Sequence, residues 1–361
     1  MVNIFRHRLE RILVVRPDRI GDVVLSTPVY HTLKLSFPGC FVGAFVSPYT
    51  APLLQSNPYI DSIILDESEE RRNEKDNFRK KMNEIRAHRF DTALLLLPTA
   101  RLAYMIFFAG VRHRVGVGHI LYEVLTFMHG VSRHGYRPLR HESDYMLDLA
   151  RYIGAKDIWT TPEIFLSMEE KEAARKFLER KGFDTNEKIV ALHPGSGHSS
   201  PNWDVKRYVE LAGGLSEEGS QILVTGAASE RNLEAAFEKS VRGVVRTSFG
   251  ELTLRELISV ISQMHLFISS STGPMHIASA VGTPTLSMFC PLTACSPKLW
   301  GPLGNKSSIV LPTAGYCQVK CSGDPHKCTF GDGSEGITVQ SIHDAALQML
   351  KETEPVYPRD S

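Results

Sequence analysis

Residues 12–36 read ILVVRPDRIGDVVLSTPVYHTLKLS, an apolar run followed by a polar loop and a helical pattern. The four apolar residues at 12–15 predict a buried parallel strand, because a strand that is covered on both faces is apolar throughout. From residue 22 to residue 36 the apolar side chains recur at helical intervals, at Val24, Leu25, Val29 and Leu33. A strand that leads through a short loop into a helix is the repeating unit of a parallel α/β sheet.

The same alternation continues along the chain and restarts after its middle. Further strands are predicted at residues 41–46, 62–65, 92–97, 189–192, 221–225, 266–268 and 285–288. Helices are predicted at residues 67–88, 168–181, 205–216, 229–239, 254–262, 274–281 and 340–351.

Two successive α/β units of similar size indicate two domains, and 361 residues are more than one hydrophobic core usually holds. With a linker at 153–162, we predict an α/β fold of two Rossmann-like domains, residues 1–160 and 161–361. Their parallel sheets should face each other across a cleft, with ligands at the carboxyl ends of the strands. We expect the C-terminal helix to pack back on the first domain.

Charge and composition exclude several classes of protein. The formal net charge is +1, so the chain lacks the general basic field of a nucleic-acid-binding protein, and no nucleic acid is expected as a partner. The apolar run near the N-terminus ends at Arg16 after four residues, which is too short for a signal core or a membrane span. We therefore expect a cytoplasmic protein whose cysteine thiols are reduced.

The first candidate site is the loop at residues 16–22, directly after the first strand. Gly21 permits a tight turn and the close approach of a ligand. Asp22 falls at the start of the next helix, where it is either a helix N-cap or a general base, and the residues alone leave both open. Arg16 and Arg19 either bind an anionic acceptor or are solvated.

Two further loops follow strands of the second domain. The loop at residues 193–200 contains His193, Gly195 and Ser196; its small residues expose backbone N–H groups that can cradle phosphate, although a flexible loop is the alternative. The loop at residues 269–276 contains Ser271, Thr272, Gly273 and His276. It has the capping residue and early proline of a helix start, where free N–H groups and the helix dipole attract a diphosphate; an ordinary capped helix is the alternative.

Three cysteines near the C-terminus, Cys317, Cys321 and Cys328, lie close in sequence to His326. Four ligands of this kind can hold zinc, but the spacing is not that of a standard zinc knuckle. We favour a reduced structural loop and predict no metal.

Taken in order, these motifs resemble glycosyltransferase family 9, the ADP-heptose:lipopolysaccharide heptosyltransferases. The resemblance rests on residues 19–28 (RIGDVVLSTP), on HPGS at 193–196 with Trp203, and on STGPMH at 271–276 followed by AVGTP at 280–284. It implies a GT-B fold in which residues 1–160 bind the acceptor and residues 161–361 bind the nucleotide sugar. It also implies inversion at the anomeric carbon, with neither metal nor other cofactor.

The resemblance assigns roles to single residues. Asp22 matches the proposed catalytic base. Thr272, Gly273 and His276 match residues at the donor diphosphate and sugar, and Glu230 matches a position that contacts the donor ribose. With the loop residues His193, Gly195, Ser196 and Ser271, they form the expected site for the donor, which the family resemblance identifies as ADP-heptose.

The acceptor implied by the resemblance is the lipopolysaccharide inner core, which is anionic and membrane-borne. Basic residues are concentrated near the expected cleft, at Arg16, Arg19, Lys34, Arg112, His113, Arg114, Arg133, His134, Arg137 and Arg140. Arg112 and Arg114 are included because a strand after Val111 should end near the cleft, and guanidinium groups bind phosphate and carboxylate well. We therefore expect peripheral contact with the inner face of the cytoplasmic membrane.

Two departures from the family pattern keep alternatives open. The family usually has Asp where this chain has Ser271, and a basic residue where it has Pro201. The alternatives are a GT-B transferase that uses another nucleotide sugar and a catalytically inactive carbohydrate-binding relative.

Overall fold

The apolar run at the start of the chain forms strand β1 (Arg11–Val15), and the helical pattern after it forms α1 (Ile20–Ser36). The computed structural model describes residues 9–68, 74–118, 121–197, 200–238, 244–321, 323–324, 327–331 and 333–352. The chain divides into two compact units, unit 1 (Met1–Phe165) and unit 2 (Leu166–Ser361).

Unit 1 is a single parallel sheet with helices. After β1 and α1 its strands and helices are β2 (Phe41–Val46), β3 (Ser62–Leu65), α2 (Glu74–Ala87), β4 (Thr92–Leu95), α3 (Ala100–Phe108), β5 (His113–Val117), α4 (Leu121–Leu125), β6 (His129–Val131) and α5 (Glu142–Tyr152). Short 3-10 turns lie at Ala51–Leu54 and His134–Tyr136. The strand order is β3-β2-β1-β4-β5-β6, so β1 is central, and Ile12 is in register with Val42 on one side and Thr92 on the other.

The chain between α5 and unit 2 is anchored along α1. The backbone N–H groups of Lys156 and Asp157 each donate to Ser36 Oγ at 3.1 Å, and that of Glu163 donates to Thr27 Oγ1 at 3.0 Å. Trp159 N–H donates to Thr32 Oγ1 at 2.9 Å. The segment predicted as a linker therefore packs along α1 and covers it. This packing contributes to the burial of α1 at every position from Val23 to Leu33.

Unit 2 repeats the architecture. Its elements are α6 (Met168–Arg180), β7 (Ile189–His193), α7 (Val205–Glu217), β8 (Gln221–Gly226), α8 (Glu234–Glu238), β9 (Val245–Phe249), α9 (Leu254–Ile261), β10 (Leu266–Ser270), α10 (Gly273–Ala280), β11 (Thr285–Met288), α11 (Pro297–Trp300), β12 (Ser307–Val310), α12 (Tyr316–Lys320) and α13 (Val339–Lys351). The strand order is β12-β11-β10-β7-β8-β9, and every pair is parallel. Two parallel six-stranded sheets confirm the predicted α/β class.

One predicted helix needs correction. The helix predicted at residues 229–239 begins instead as a 3-10 turn, Ala228–Leu233, and becomes α-helical only at Glu234. The C-terminal helix α13 packs on α7, and its residues Ile342, Ala346 and Leu350 belong to the core of unit 2. Its expected packing on the first domain stays a prediction.

Within the described ranges, no helix combines the length and apolar character needed to cross a bilayer.

Candidate functional site

The residues of the first loop meet at the carboxyl end of β1. Arg16 is buried, and its guanidinium donates through Nη1 to the Leu96 carbonyl at 2.6 Å and through Nη2 to Asp22 Oδ1. Its Nε lies 3.0 Å from Asp18 Oδ1. Buried Arg16 is therefore paired with two acidic side chains, Asp18 and Asp22, at the carboxyl end of β1.

The helix-cap alternative for Asp22 is wrong. Helix α1 begins at Ile20 and its N-cap is Arg19, so Asp22 is the third helical residue rather than the cap. Its carboxylate is held by a side chain from the preceding strand end and remains partly exposed. The general-base alternative for Asp22 stays a prediction.

Asp18 is a titratable group that the motif analysis did not single out. Burial raises the pKa of Asp18 to about 7, an effect that Arg16 opposes and Asp22 reinforces. A carboxyl group with this pKa exchanges its proton near neutral pH, beside the proposed base. The only signal in the sequence was its place in the polar loop after β1.

A second ion pair lies at the same end of the sheet. Arg133, just after β6, donates to Glu142 Oε2 at 2.9 Å and to the Tyr136 hydroxyl at 2.7 Å. Burial raises the pKa of Glu142, Arg133 counteracts this, and the charges of Arg16 and Asp22 also act on it. Glu142 therefore belongs to the same electrostatic group as the first loop.

The placement expected for Arg112 and Arg114 was wrong. Strand β5 begins at His113, so both arginines lie at its amino end, opposite the edge that carries Asp22. Arg114 is buried and donates to the carbonyls of Val111 and Thr126, which makes it a structural clamp between loops. Their role in acceptor binding remains a prediction that this location does not support.

Several of the other predicted cations are engaged within unit 1. Lys34 pairs with Asp61, while Arg140 pairs with Asp144 and Asp148. Arg19 is exposed beside Asp22, and His134 and Arg137 are exposed near the end of β6. Arg19 is therefore the cation of the first loop that remains available to an anionic acceptor.

In unit 2, His193 ends β7 and is buried. A 2.9 Å hydrogen bond joins its Nδ1 to Thr225 Oγ1 at the end of β8. Burial lowers the pKa of His193, and the nearby Glu230 carboxylate opposes that change. The imidazole is thus fixed between two strand ends rather than projecting into solvent.

Glu230 packs directly against the loop after β7. A Cβ built on Gly195 would lie 2.0 Å from Glu230 Oε1, so a side chain at position 195 would have to displace the Glu230 carboxylate. Glu230 Oε2 accepts a 2.9 Å hydrogen bond from the N–H of Ala227. The structure thereby brings Glu230, Gly195 and His193 together, with Ser196 half-buried next in the chain. His198 and Ser199 of the same loop lie outside the described residues.

Asn202 connects this loop to the next strand end and was missed by the sequence analysis. Its Oδ1 accepts hydrogen bonds from Ser270 Oγ at 2.5 Å and from the Tyr208 hydroxyl at 2.9 Å. Its Nδ2 donates to the Pro194 carbonyl at 2.5 Å. The side chain therefore ties the ends of β7 and β10 to α7.

Helix α10 begins directly after β10. Thr272 is its N-cap residue, and the Thr272 hydroxyl is buried without a hydrogen-bond partner among the described residues. Gly273 opens the helix, Ser271 before it is half-buried, and His276 is buried in the first turn. The first N–H groups of a helix have no partner within it, so they and this hydroxyl can together receive an anion.

The cysteine group of Cys317, Cys321 and Cys328 also includes Cys290, which lies farther back in the sequence. Burial raises the pKa of Cys317 to about 11, and the neighbouring thiols of Cys290, Cys321 and Cys328 add to this effect. All are free thiols. Among the residues with described positions, no three His, Cys, Asp or Glu side chains are arranged to hold a metal ion; His326 lies outside them.

Comparisons with known proteins point to one family. The family model described as glycosyltransferase family 9 (heptosyltransferase) matches residues 78–327. A Haemophilus influenzae protein named as a candidate glycosyltransferase is 28% identical over 319 residues, which cover 85% of this chain and 90% of the relative. Lipopolysaccharide heptosyltransferase 2 of Escherichia coli is 25% identical over 351 residues, covering 95% of this chain and 97% of the relative.

A solved structure shares the fold. The family 9 glycosyl transferase from Veillonella parvula superposes with a TM-score of 0.81 at 20% sequence identity, covering 96% of this chain and 99% of that one. With the two parallel sheets, this similarity confirms the predicted GT-B architecture.

Proposed function

Because the chain belongs to glycosyltransferase family 9, we propose that it is an inverting transferase that moves a heptose from ADP-heptose to the lipopolysaccharide inner core. The observation that carries this proposal is the Asp22 carboxylate, held by buried Arg16 at the carboxyl end of β1. The name of the Escherichia coli relative, lipopolysaccharide heptosyltransferase 2, supports the choice of sugar and acceptor.

In the proposed reaction, Asp22 removes the proton from an acceptor hydroxyl as its oxygen attacks the anomeric carbon of the heptose. The new carbon–oxygen bond forms on the face opposite the diphosphate, and the bond between the anomeric carbon and the phosphate oxygen breaks. The configuration is therefore inverted, and ADP leaves with the bonding electrons. Arg16 keeps the Asp22 carboxylate in place during the transfer.

The leaving diphosphate gains negative charge, which the start of α10 is arranged to receive. We assign this role to the N–H groups of the first turn and to the buried Thr272 hydroxyl. Preorganised donors of this kind stabilise developing charge without a metal ion. Glu230, packed against Gly195, is assigned to the donor ribose, because a carboxylate accepts hydrogen bonds from ribose hydroxyls.

The acceptor side of the proposal is electrostatic. Exposed Arg19 lies three residues before Asp22, where its guanidinium can pair with a phosphate or carboxylate of the inner core. Because lipopolysaccharide is anchored in a membrane, the enzyme should meet its acceptor at the inner face of the cytoplasmic membrane.

A donor comparison tests the proposal. The purified protein is incubated with heptose-deficient lipopolysaccharide and, in turn, with ADP-heptose, UDP-sugars and GDP-sugars, with and without EDTA; released nucleotide and product anomer are measured. We expect transfer from ADP-heptose with inversion, undiminished by EDTA. Transfer from only a different nucleotide sugar would show that ADP-heptose is not the donor. Binding without turnover would identify a carbohydrate-binding relative, and an activity restored only by magnesium would contradict the role of α10.

A further inference from the structure

Helix α4 in unit 1 has the reverse of the polarity expected for a water-exposed helix. Leu121, Val124 and Leu125 are 73%, 69% and 54% exposed, whereas Glu123 is only 2% exposed. The Glu123 carboxylate points into the protein, where its Oε1 lies 2.9 Å from the position of a Cβ built on Gly116 and its Oε2 lies 3.4 Å from that of one built on Gly130. A helix that turns its acid inward and its leucines outward is adapted to an apolar environment.

The exposed apolar surface extends beyond α4 to the end of α3. Phe127 and Phe108 are exposed, and Phe107 lies between them, with ring centroids 6.3 Å from Phe127 and 5.3 Å from Phe108. Buried Arg114 makes a cation–π contact with Phe107, because its guanidinium lies 5.2 Å from the Phe107 ring centroid. The α4 surface, defined here as Phe108, Leu121, Val124, Leu125 and Phe127, is therefore one continuous patch.

Two exposed arginines, Arg86 and Arg112, lie at the rim of the α4 surface, and the one acid of α4, Glu123, faces inward. The guanidinium of exposed Arg86 donates to the Phe108 carbonyl at 2.6 Å. The Arg114 guanidinium donates to the backbone carbonyls of both Arg112 and Phe127. Neither Arg86 nor Arg112 has a carboxylate partner in the part of the chain that the structure describes.

We propose that the α4 surface, with Arg86 and Arg112 at its rim, inserts into the headgroup boundary of an anionic phospholipid bilayer. Apolar and aromatic side chains flanked by arginine match that boundary, where acyl chains adjoin negative headgroups. A second copy of the chain fits less well, because a symmetric contact would bring the arginines of both copies together without acids to compensate. The inference deepens the proposed function by naming the surface that meets the membrane carrying the acceptor.

Vesicle sedimentation tests this surface. The probes are vesicles of phosphatidylethanolamine with phosphatidylglycerol, compared with pure phosphatidylcholine vesicles. The wild-type protein should bind the anionic vesicles, and the variant Leu121→Gln/Val124→Gln/Leu125→Gln should bind at least about tenfold more weakly. Arg86→Glu with Arg112→Glu should also bind about tenfold more weakly and should abolish the preference for anionic lipid.

A matched control uses apolar residues that are equally exposed in unit 2. Met168→Gln/Val319→Gln should leave vesicle binding unchanged. Equal binding by the wild type and the α4 triple variant would overturn the proposal, as would absence of wild-type binding. A wild-type dimer that becomes monomeric in the triple variant, measured by light scattering, would instead assign the surface to a second copy.

The outcome is separable from the proposed activity. With a deacylated, lipid-free inner-core acceptor, the triple variant should transfer sugar at the wild-type rate, because α4 takes no part in the reaction. If the wild type transfers nothing yet binds anionic vesicles, the proposed function fails while the membrane surface stands. If the triple variant loses transfer to the lipid-free acceptor, the surface serves the acceptor and not the bilayer.

Discussion

At the residue scale, the interaction between Asp22 and Arg16 leads to the most direct prediction. Asp22→Asn keeps the shape and a contact with Arg16 but removes the base, so kcat should fall by about 10²–10⁴. The dissociation constant for ADP, measured by calorimetry, should change little, because the donor residues belong to unit 2. The exposed Asp157→Asn serves as the matched control and should retain full activity. A normal kcat in Asp22→Asn would remove this residue from the mechanism.

Asp18 leads to a prediction about pH. Burial raises the pKa of Asp18 from 3.8 to about 7, so the folded protein retains a proton that the unfolded chain has lost in this window. Its contribution to the free energy of unfolding is complete below about pH 4 and is lost as the pH rises through about 7. Asp18→Asn cannot ionise. It should therefore gain stability relative to wild type over this range, by at most about 4 kcal/mol.

Urea unfolding at a series of pH values measures this difference. Since both proteins share every other titrating group, subtracting the two curves isolates Asp18. A difference that stays constant between about pH 4 and pH 8 would show that the Asp18 carboxyl is not shifted in the folded protein.

The placement of single residues in the candidate site was predictable where the motif is local. Asp22 and Thr272 each lie at the start of a helix that follows an apolar strand, and this pattern is visible within ten residues. Asn202 and Glu142 were not predictable. Asn202 accepts a hydrogen bond from Ser270, 68 positions later. Glu142 pairs with Arg133, and the charges of the first loop act on its carboxyl group. Such contacts exist only once the strand order is known.

At the scale of elements, a substitution at the start of α10 should change the affinity for ADP without lowering the stability of the protein. Thr272→Val replaces the buried hydroxyl with a methyl group of similar size. That hydroxyl has no hydrogen-bond partner among the described residues, so the melting temperature of the ligand-free protein should stay the same or rise. Affinity for ADP should nevertheless fall about tenfold, because the phosphate loses a donor.

Thermal shift with and without ADP checks both parts. Thr285→Val is the control, a buried threonine in β11 whose hydroxyl accepts from Asn305 Nδ2 at 3.3 Å. It should lower stability and leave ADP affinity unchanged. A large loss of stability in Thr272→Val would mean that its hydroxyl has a structural partner and does not await a ligand.

Elements were predicted most accurately where a strand is a short apolar run. The bounds of β2 (FVGAFV) and β3 (SIIL) match the predicted ranges for this reason, and those of β11 (TLSM) match as well. Strands β6 and β12 gave no such signal. They are edge strands with the sequences HGV and SSIV, and an edge strand needs fewer apolar residues to stay covered.

At the scale of the whole molecule, a net charge of +1 hides strong local differences. Most arginines near the end of the first sheet are paired with acids, whereas Arg19 is exposed. The Michaelis constant for the acceptor should therefore rise with sodium chloride, and Arg19→Glu should raise it about tenfold. The Michaelis constant for the donor should change little in both experiments.

The choice of Arg19 alone follows from the structure. Reversing the charge of Arg16 would also release Asp22 and lower kcat, so that variant cannot isolate acceptor binding. Arg180→Glu, on α6 of unit 2, is a charge-matched control. An acceptor constant that responds to neither salt nor Arg19→Glu would favour a neutral glycan as the acceptor.

The packing of Glu230 against Gly195 also makes changes at these two positions depend on each other. A Cβ at position 195 would lie 2.0 Å from Glu230 Oε1, so a side chain there would displace the Glu230 carboxylate, the flexible end of its side chain. A search for variants with new donor preferences should therefore randomise 195 and 230 together. In natural descent, a change at either position should likewise alter which residues the other position tolerates.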